Sequence, residues 1–205
     1  QKQNKPFTSA SDIYNGEIFK DIPDDIKEEI LSEENMLEFE EMMIDHHFEK
    51  QVVNVMDYCS NQQMLELLVK KHGADIDHVS PDGYFALSSF TEEEDIQTVT
   101  WLLENKANPN NTSTGETAIY KAIRNNNLEM VQLLLNHGAS LDVLDVDGCG
   151  PLYPCESIDM AKLLIKNGAD PTVRDQANFP SWQFIDDKET SDYIKSEAKK
   201  RATPR

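Results

Sequence analysis

Three cysteines and a pair of adjacent histidines carry most of the reactive chemistry that this sequence offers. The cysteines are Cys59, Cys149 and Cys155, an odd number without the spacing of a disulfide framework. Cys149 and Cys155 lie close enough in sequence to pair, although sparse cysteines rarely pair in reducing compartments. A nucleophilic Cys155 would need a base, and only folding could bring His137 near it. Buried, unreactive thiols are therefore the favoured interpretation, and a cysteine-centred enzyme is an alternative.

The histidines have simple explanations. Asp45-His46-His47 contains the residue types of a metal site or a phosphodiesterase motif, but no second cluster of acids and histidines accompanies it. We therefore favour an exposed helix end. His72 and His137 each precede a glycine at a predicted helix end, where the helix dipole favours a cation. No phosphate loop, dinucleotide fingerprint, GxSxG or HExxH motif occurs. We expect no enzymatic activity, no metal and no cofactor.

The charge of the chain restricts the class of partner. Its 205 residues carry a formal net charge of -19, and 39% of them are hydrophobic. So negative a surface repels nucleic acid and anionic membranes and favours a protein partner with a basic surface. The sequence has no run of 18 apolar residues, so we expect no membrane insertion. We expect the chain to be a monomer.

The N-terminus leaves the compartment open. The sequence begins at Gln1 and not at a methionine, and it shows no signal peptide, which indicates a fragment or a processed chain. The cytoplasm is favoured, and a processed secreted or periplasmic chain is the alternative.

The elements that must position these residues repeat every 30 to 33 residues. Leucine-rich runs end at His72-Gly73, Asn105-Lys106, His137-Gly138 and Asn167-Gly168, at intervals of 33, 32 and 30. A second series lies in polar turns at Asp82-Gly83, Thr114-Gly115, Asp147-Gly148 and Asn178, at intervals of 32, 33 and 30. Two registers that keep nearly the same period predict a stack of repeated units.

Each unit has room for two short helices. A glycine or asparagine after a leucine-rich run ends a helix, because the residue can adopt a left-handed conformation. An Asp-Gly step forms a tight turn. Neither helix can bury its apolar face alone, so neighbouring units must stack. The sequence therefore predicts an all-α solenoid.

This pattern resembles the ankyrin repeat, whose unit is a hairpin-like turn, two antiparallel helices and a closing loop. Residues 114–142 match it best, with Thr117-Ala118-Ile119-Tyr120 in place of the family's Thr-Pro-Leu-His tetrapeptide. The other copies are Gly150-Pro151-Leu152-Tyr153 and two poorer versions, Phe85-Ala86-Leu87-Ser88 and Pro180-Ser181-Trp182-Gln183. The resemblance implies a solenoid of about 4–5 stacked helix-turn-helix units behind an N-terminal acidic helical cap.

The sequence departs from the family at two points. The tetrapeptide histidine, which ties adjacent repeats together in the family, is absent from every copy. Tyr120 and Tyr153 can substitute for it in part, and Ser88 and Gln183 less well, so we expect modest stability. Pro154 falls where a first helix should run, and proline removes a helical hydrogen bond. That helix should be a single turn or irregular.

The chain divides into four segments on this interpretation. They are a flexible arm (1–16), the acidic cap (17–47), the ankyrin repeat domain (48–195) and a basic tail (196–205), with units at about 48–79, 80–111, 112–144, 145–174 and 175–195. Residues 17–50 carry 13 acidic and 3 basic residues, and they fit either a solvated cap or an acidic docking surface. Residues 19–26 also resemble the opening of an F-box, which would imply a ubiquitin-ligase adaptor.

In the ankyrin family, the turn tips and first helices form a concave face that contacts partners. Carried over, this face consists of Asp82, Tyr84, Glu92, Glu93, Ser113, Glu116, Arg124, Asn125, Val146, Asp147 and Cys149. It holds more acids than bases, which predicts a basic target. Phe85 and Phe179, beside the tips, fit partner contact and packing between repeats equally well.

The resemblance implies a non-catalytic interaction module that binds a basic protein or peptide on this concave face. The same charge would suit an acidic inhibitor or immunity-type protein that blocks a toxin or an enzyme. The ubiquitin-ligase adaptor is a further alternative.

Overall fold

The computed structural model describes residues 62–66, 69–70, 73–80, 83, 85–112 and 116–202. The expected N-terminal arm, the acidic cap, the F-box-like segment and the Asp45-His46-His47 motif lie outside these residues. So do Cys59 and three of the expected partner-binding residues, Asp82, Tyr84 and Ser113.

The described residues form seven α-helices and one 3-10 helix. The α-helices are α1 (Gln62–Glu66), α2 (Ala86–Glu92), α3 (Ile96–Glu104), α4 (Ala118–Arg124), α5 (Leu128–Asn136), α6 (Ile158–Lys166) and α7 (Lys188–Ala202). The 3-10 helix is Ser181–Gln183. Within the described part, extended pairing is confined to an isolated antiparallel bridge between Arg174 and Pro180. The predicted all-α architecture is confirmed.

The helices form two layers of a stack. The first helices α2 and α4 pack against each other, and each packs against the second helix of its own unit, α3 or α5. The second helices continue the outer layer from α3 through α5 to α6, and α7 closes the stack against α6 and the 3-10 helix. A hydrophobic core runs through all of these units, from Leu65 to Ile194. This continuity is what makes the short helices stable, because none could bury its apolar face alone.

The second helices bury the same positions in successive units. In α5 the buried residues are Met130, Val131 and Leu134, and in α6 they are Met160, Ala161 and Leu164. Each set has the i, i+1, i+4 spacing of one helical face. The apolar spacing in the sequence therefore reports directly which face of each second helix meets the core.

Both predicted turn registers have left-handed backbone wherever they are described. At the ends of the second helices, φ is +66° at Gly73, +75° at Lys106, +89° at Gly138 and +109° at Gly168. In the polar turns, φ is +89° at Gly83, +77° at Gly148 and +67° at Asn178. Glycine and asparagine tolerate this conformation, so the sequence signal and the backbone geometry share a cause. Lys106 is the exception among these positions.

Short polar side chains define where the second helices begin. The N-cap residues Asp95, Asn127 and Ser157 each accept a hydrogen bond from the backbone N–H three residues further on, over 3.0, 3.0 and 3.3 Å. Each bond satisfies a donor that has no partner inside its helix. Asp187 accepts from the backbone N–H of Thr190 in the same way, over 2.8 Å, in the first turn of α7.

The first-helix layer loses its helices towards the C-terminus. Residues 151–154 form turns where a third first helix would stand, as Pro154 predicts, although Leu152 still enters the core. The fourth position holds only the 3-10 helix Ser181–Gln183. Within residues 85–202, the described part of this layer therefore consists of two helices followed by two short turns.

The described helices are all unsuited to spanning a membrane. None of those in the described part of the chain combines sufficient length with sufficient apolar character.

Candidate partner-binding site

Tyr120 joins two neighbouring units at the position where the family has a histidine. Its ring is buried in α4, and its hydroxyl oxygen lies 2.7 Å from the carbonyl oxygen of Val143 and 2.8 Å from that of Cys149. The hydroxyl has one proton, so it donates to either carbonyl or is shared between them. Burial raises the pKa of Tyr120, and the negative charge of Asp145 adds to the effect. The hydroxyl is therefore a constant donor at neutral pH.

Tyr153 repeats this arrangement one unit later. Its hydroxyl donates to the carbonyl oxygen of Phe179, in the turn of the following unit. The expected partial substitution of histidine by tyrosine is thus seen at both positions. Both tyrosines hold the turn of the next unit, which is where the expected partner-binding tips are.

The C-terminal ends of the first helices bring together Glu92, Lys121 and Asn125. Lys121 donates to the Glu92 carboxylate, and the Asn125 side-chain amide donates to the Glu92 carbonyl oxygen over 3.2 Å. Glu92 lies at the end of α2, and the other two residues lie on α4 and at its end. Two residues expected on one face from the sequence, Glu92 and Asn125, are therefore neighbours.

Glu116 and Arg124 form a second ion pair on α4 and its approach. The Arg124 guanidinium donates to the Glu116 carboxylate, and both side chains are partly exposed. Each of the two cations on the first helix α4, Lys121 and Arg124, thus already faces a carboxylate. The basic charge of this face is consequently neutralised within the chain.

The carboxylates that follow α2 repel one another. Burial raises the pKa of Glu93, and the negative charges of Asp95 and Glu92 raise it further. Glu92, Glu93 and Glu94 are exposed. We name this end of the first-helix layer the acidic ridge (residues 92–95), because four consecutive acidic residues lie there.

Val146, Asp147 and Cys149 lie together in the turn before residues 151–154. The Asp145 carboxylate accepts hydrogen bonds from the backbone N–H groups of Asp147 and Cys149, over 2.9 and 2.8 Å. The neighbouring turn supports this one, because the Gln176 side chain donates to the Val146 carbonyl oxygen over 2.7 Å. The expected tip residues of this unit are therefore held in place, with Val146 71% exposed.

Both described cysteines are free thiols of low reactivity. Burial raises the pKa of Cys149 to about 11, with the charges of Asp145, Asp175 and Asp147 adding to it, and burial raises that of Cys155 to about 11. Since the thiolate is the nucleophile, neither residue is activated at neutral pH. This disfavours the alternative of a cysteine-centred enzyme. Among all the residues that the structure describes, no group of three or more His, Cys, Asp or Glu residues could hold a metal ion.

The structure separates the two phenylalanines that sequence reasoning could not assign. Phe85 is buried at the N-cap position of α2 and belongs to the hydrophobic core. Phe179 is 49% exposed at the tip of its turn. Phe184, which follows the 3-10 helix, is 56% exposed and was not among the expected site residues. Phe184 lies in an irregular segment, where the spacing of apolar residues follows no period, so the sequence does not indicate that its side chain is exposed.

Comparison with known proteins agrees with this arrangement. A family model described as "Ankyrin repeats (3 copies)" matches residues 53–145 and 91–175, which together cover more than half of the chain. A putative ankyrin repeat protein of Fowlpox virus (strain NVSL) is 34% identical over 120 residues, which is 55% of this chain and 35% of that protein. A putative ankyrin repeat protein of Rickettsia felis is 34% identical over 112 residues, 51% of this chain and 37% of that protein. The chain thus spans little more than a third of either relative.

A solved structure shows the same stack. The ankyrin repeat domain of Bcl-3, described as a unique member of the IkappaB protein family, is similar with a TM-score of 0.59 and 25% sequence identity. The similarity covers 66% of this chain and 63% of that one. With stacked helix pairs, two left-handed turn registers and a matching family model, the chain belongs to the ankyrin-repeat family, whose stacks are protein-interaction modules.

Proposed function

We propose that this chain binds a basic protein or peptide, without catalysis, on the face made by the first helices and turns of its ankyrin repeats. The observation that most supports this proposal is the acidic ridge, in which the three consecutive residues Glu92, Glu93 and Glu94 are all exposed. The pKa of Glu93 is raised by burial and by the charges of Asp95 and Glu92, so carboxylates of the ridge still repel one another although Lys121 pairs with Glu92. A cationic side chain of a partner would lower this repulsion on binding.

The ion pairs of the chain leave the acids in excess. Lys121 and Arg124 already face Glu92 and Glu116, so they offer little to an acidic partner. The net charge of -19 extends the same preference over the whole molecule and speeds the encounter with a basic partner. The Glu92 side chain is 62% exposed although that of Lys121 is only 17% exposed, so a partner's arginine or lysine can reach the Glu92 carboxylate from solvent.

Affinity purification followed by a salt series tests the proposal. The full chain is immobilised, proteins captured from an extract of its source are identified, and their affinity is measured at about 50 mM and about 500 mM salt. The double variant Glu92→Gln/Glu93→Gln should weaken binding at low salt. Glu104→Gln/Glu129→Gln removes the same charge from exposed positions on the outer helices α3 and α5, and should leave binding nearly unchanged.

Two outcomes would contradict the proposal. An affinity that does not respond to salt removes the electrostatic part, and equal weakening by both double variants shows that total charge matters and not this face. If the captured partner is an enzyme or toxin that loses activity when bound, the inhibitor is the better description of the same interaction.

A further inference from the structure

Three aromatic rings gather at the C-terminal end of the turn face. The ring centroids of Tyr153 and Phe184 are 5.8 Å apart, and those of Phe179 and Phe184 are 6.2 Å apart in an edge-to-face arrangement. Phe179 is 49% exposed and Phe184 is 56% exposed. We name Tyr153, Phe179 and Phe184 the aromatic cluster.

The cluster is exposed because the first-helix layer has no full helix at this end. Residues 151–154 form turns, and only the 3-10 helix Ser181–Gln183 stands beside them. Large exposed apolar side chains concentrate in the same region of the described chain: Leu144, Val146, Phe179 and Phe184 lie here, and Leu128 lies on α5. Exposed apolar residues that gather in this way are typical of an interaction surface, whereas scattered ones are not.

The backbone beneath the cluster is well supported. The Phe179 carbonyl oxygen accepts from the backbone N–H of Asp175 over 3.0 Å and from the Tyr153 hydroxyl, and the Phe179 N–H donates to the Asp175 carboxylate over 2.8 Å. The Phe184 N–H donates to the Ser181 carbonyl oxygen over 3.0 Å. A surface that is already ordered loses little conformational freedom on binding, which favours affinity.

Carboxylates lie in the turns and segments that carry these rings. Asp145 and Asp147 occupy the adjacent turn, Asp175 accepts from the Phe179 backbone N–H, and Asp186 and Asp187 come after Ile185, which follows Phe184. Arg174 is the neighbouring cation, and its guanidinium donates to the Asn178 carbonyl oxygen over 2.9 Å. The electrostatic balance of the region is therefore negative, and its apolar centre consists of aromatic faces.

We propose that the aromatic cluster is the docking site for an arginine-bearing segment of the basic partner protein. A guanidinium is planar and weakly hydrated, so it can stack on the exposed rings while its N–H groups reach the surrounding carboxylates. A wholly apolar partner would strip water from those carboxylates without replacing its hydrogen bonds. This inference rests on the proposed function and adds to it where the partner sits and which residue it uses.

Synthetic peptides test the chemistry directly. The probes are a peptide of alternating arginine and glycine and a second peptide with lysine in place of arginine, titrated into the full chain and followed by NMR and calorimetry. We expect the arginine peptide to bind several-fold more tightly and to shift the signals of Phe179 and Phe184 first. Equal affinity of the two peptides, or no binding of either, would overturn the proposal.

Matched variants locate the site. Phe179→Ala/Phe184→Ala should weaken the arginine peptide about tenfold, whereas Leu128→Ala, which truncates an exposed apolar side chain on α5, should not. Phe179→Leu/Phe184→Leu keeps the apolar volume and removes the aromatic faces, so it should weaken binding even though the fold is retained. Unchanged affinity in the leucine variant would refute the stacking.

The captured partner separates this inference from the proposed function. If binding of that partner depends on Glu92 and Glu93 but not on Phe179 and Phe184, the basic partner stands and the docking site is wrong. Dependence on the aromatic cluster alone supports the docking site and removes the acidic ridge from the proposed function.

Discussion

At the position where the ankyrin family has a histidine, this chain places a tyrosine hydroxyl beside two backbone carbonyls. The Tyr120 hydroxyl reaches Val143 and Cys149, 23 and 29 residues further along the chain. The phenol hydroxyl thus links α4 to the next turn from the position that the tetrapeptide histidine occupies in the family. The tie between repeats is retained, although the side chain that makes it differs.

Replacing Tyr120 by phenylalanine should destabilise the fold. The change removes the hydroxyl and leaves the carbonyl groups of Val143 and Cys149 without this donor, so we expect the free energy of unfolding to fall by about 1–2 kcal/mol. Urea denaturation followed by circular dichroism measures it. Tyr153→Phe is the comparison and should cost less, because its hydroxyl bonds to one carbonyl in a more exposed place. An unchanged midpoint for Tyr120→Phe would show that the tie contributes nothing.

Tyr120 also predicts a loss of stability at alkaline pH. Its pKa in the fold is raised by burial and by nearby negative charge, above the ordinary value of about 10. Its contribution is therefore complete below about pH 10 and is lost as the pH rises towards the folded pKa. Between about pH 8 and about pH 11.5, the unfolding free energy of the wild type should fall more steeply than that of Tyr120→Phe. Parallel curves would contradict this assignment.

At the scale of the elements, helix ends are where sequence and structure agree most closely. Left-handed residues end the second helices and shape the turns, and short polar side chains begin the second helices. The left-handed helix ends and turns depend on a few consecutive residues, which is why the two registers are visible in the sequence. The preference for glycine or asparagine is overridden at two positions, Lys106 with φ +75° and Glu94 with φ +61°.

Replacing Lys106 by glycine should stabilise the chain. A residue with a side chain loses about 1 kcal/mol in left-handed backbone, and the exposed Lys106 side chain compensates for little of this cost. We therefore expect the free energy of unfolding to rise by about 0.5–1 kcal/mol in the glycine variant. Thermal unfolding should shift upwards by about 2–4 °C per kcal/mol. Gly138→Ala is the converse control at φ +89°. An added Cβ there meets no atom within 4 Å, so its cost comes from the backbone alone. A lower melting temperature for Lys106→Gly would contradict the prediction.

The cap at Asp95 predicts a pH-dependent contribution of α3. Burial on its own acts to raise the pKa of Asp95, but hydrogen bonds from the backbone and side chain of Thr98 lower it below the ordinary value. The charged cap is therefore fully effective above about pH 4 and is lost as the pH falls through the lowered pKa.

Two substitutions test the cap. Asp95→Ala should cost about 1 kcal/mol at neutral pH, whereas Asp95→Asn keeps an acceptor and should cost little. Because asparagine does not titrate, the Asp95→Asn variant should gain stability relative to the wild type as the pH falls to about 3. Urea denaturation at both pH values measures this, and a constant difference would exclude the charged cap.

Across the whole molecule, the charge of -19 opposes compactness. Like charges crowd together in the folded state more than in the unfolded state, so self-repulsion destabilises the fold. The repeats counter it with ties between units, such as the Asp77 carboxylate accepting from the backbone N–H of Asn108 and the Asn110 side chain accepting from that of Ser140, both over 2.7 Å.

Salt should therefore stabilise the chain. Raising the salt concentration from about 10 mM to about 100 mM shortens the Debye length from about 30 Å to about 10 Å and screens the repulsion. We expect the melting temperature to rise over this interval, and Glu104→Gln/Glu129→Gln, which lowers the charge, to show a smaller rise. A fall would mean that ion pairs such as Lys121 with Glu92 outweigh the repulsion.

The candidate site was less predictable than the fold. Glu92 and Asn125 were assigned to one face from the repeat alignment, and their contact agrees with that assignment. The ion pair of Glu92 with Lys121 joins residues 29 positions apart, so no local pattern could indicate it. The contribution of Phe184 to the aromatic cluster was missed because it depends on how two irregular turns pack.

Local backbone chemistry explains what could be read from the residues alone: the period, the ends of the second helices and the break at Pro154. Left-handed turns need glycine or asparagine, and caps need short polar side chains, whatever surrounds them. The packing of neighbouring units decides the rest: which carbonyls Tyr120 reaches, which carboxylates neutralise Lys121 and Arg124, and which aromatic rings stay exposed. These properties belong to pairs of residues from different units, and only the folded stack brings such pairs together.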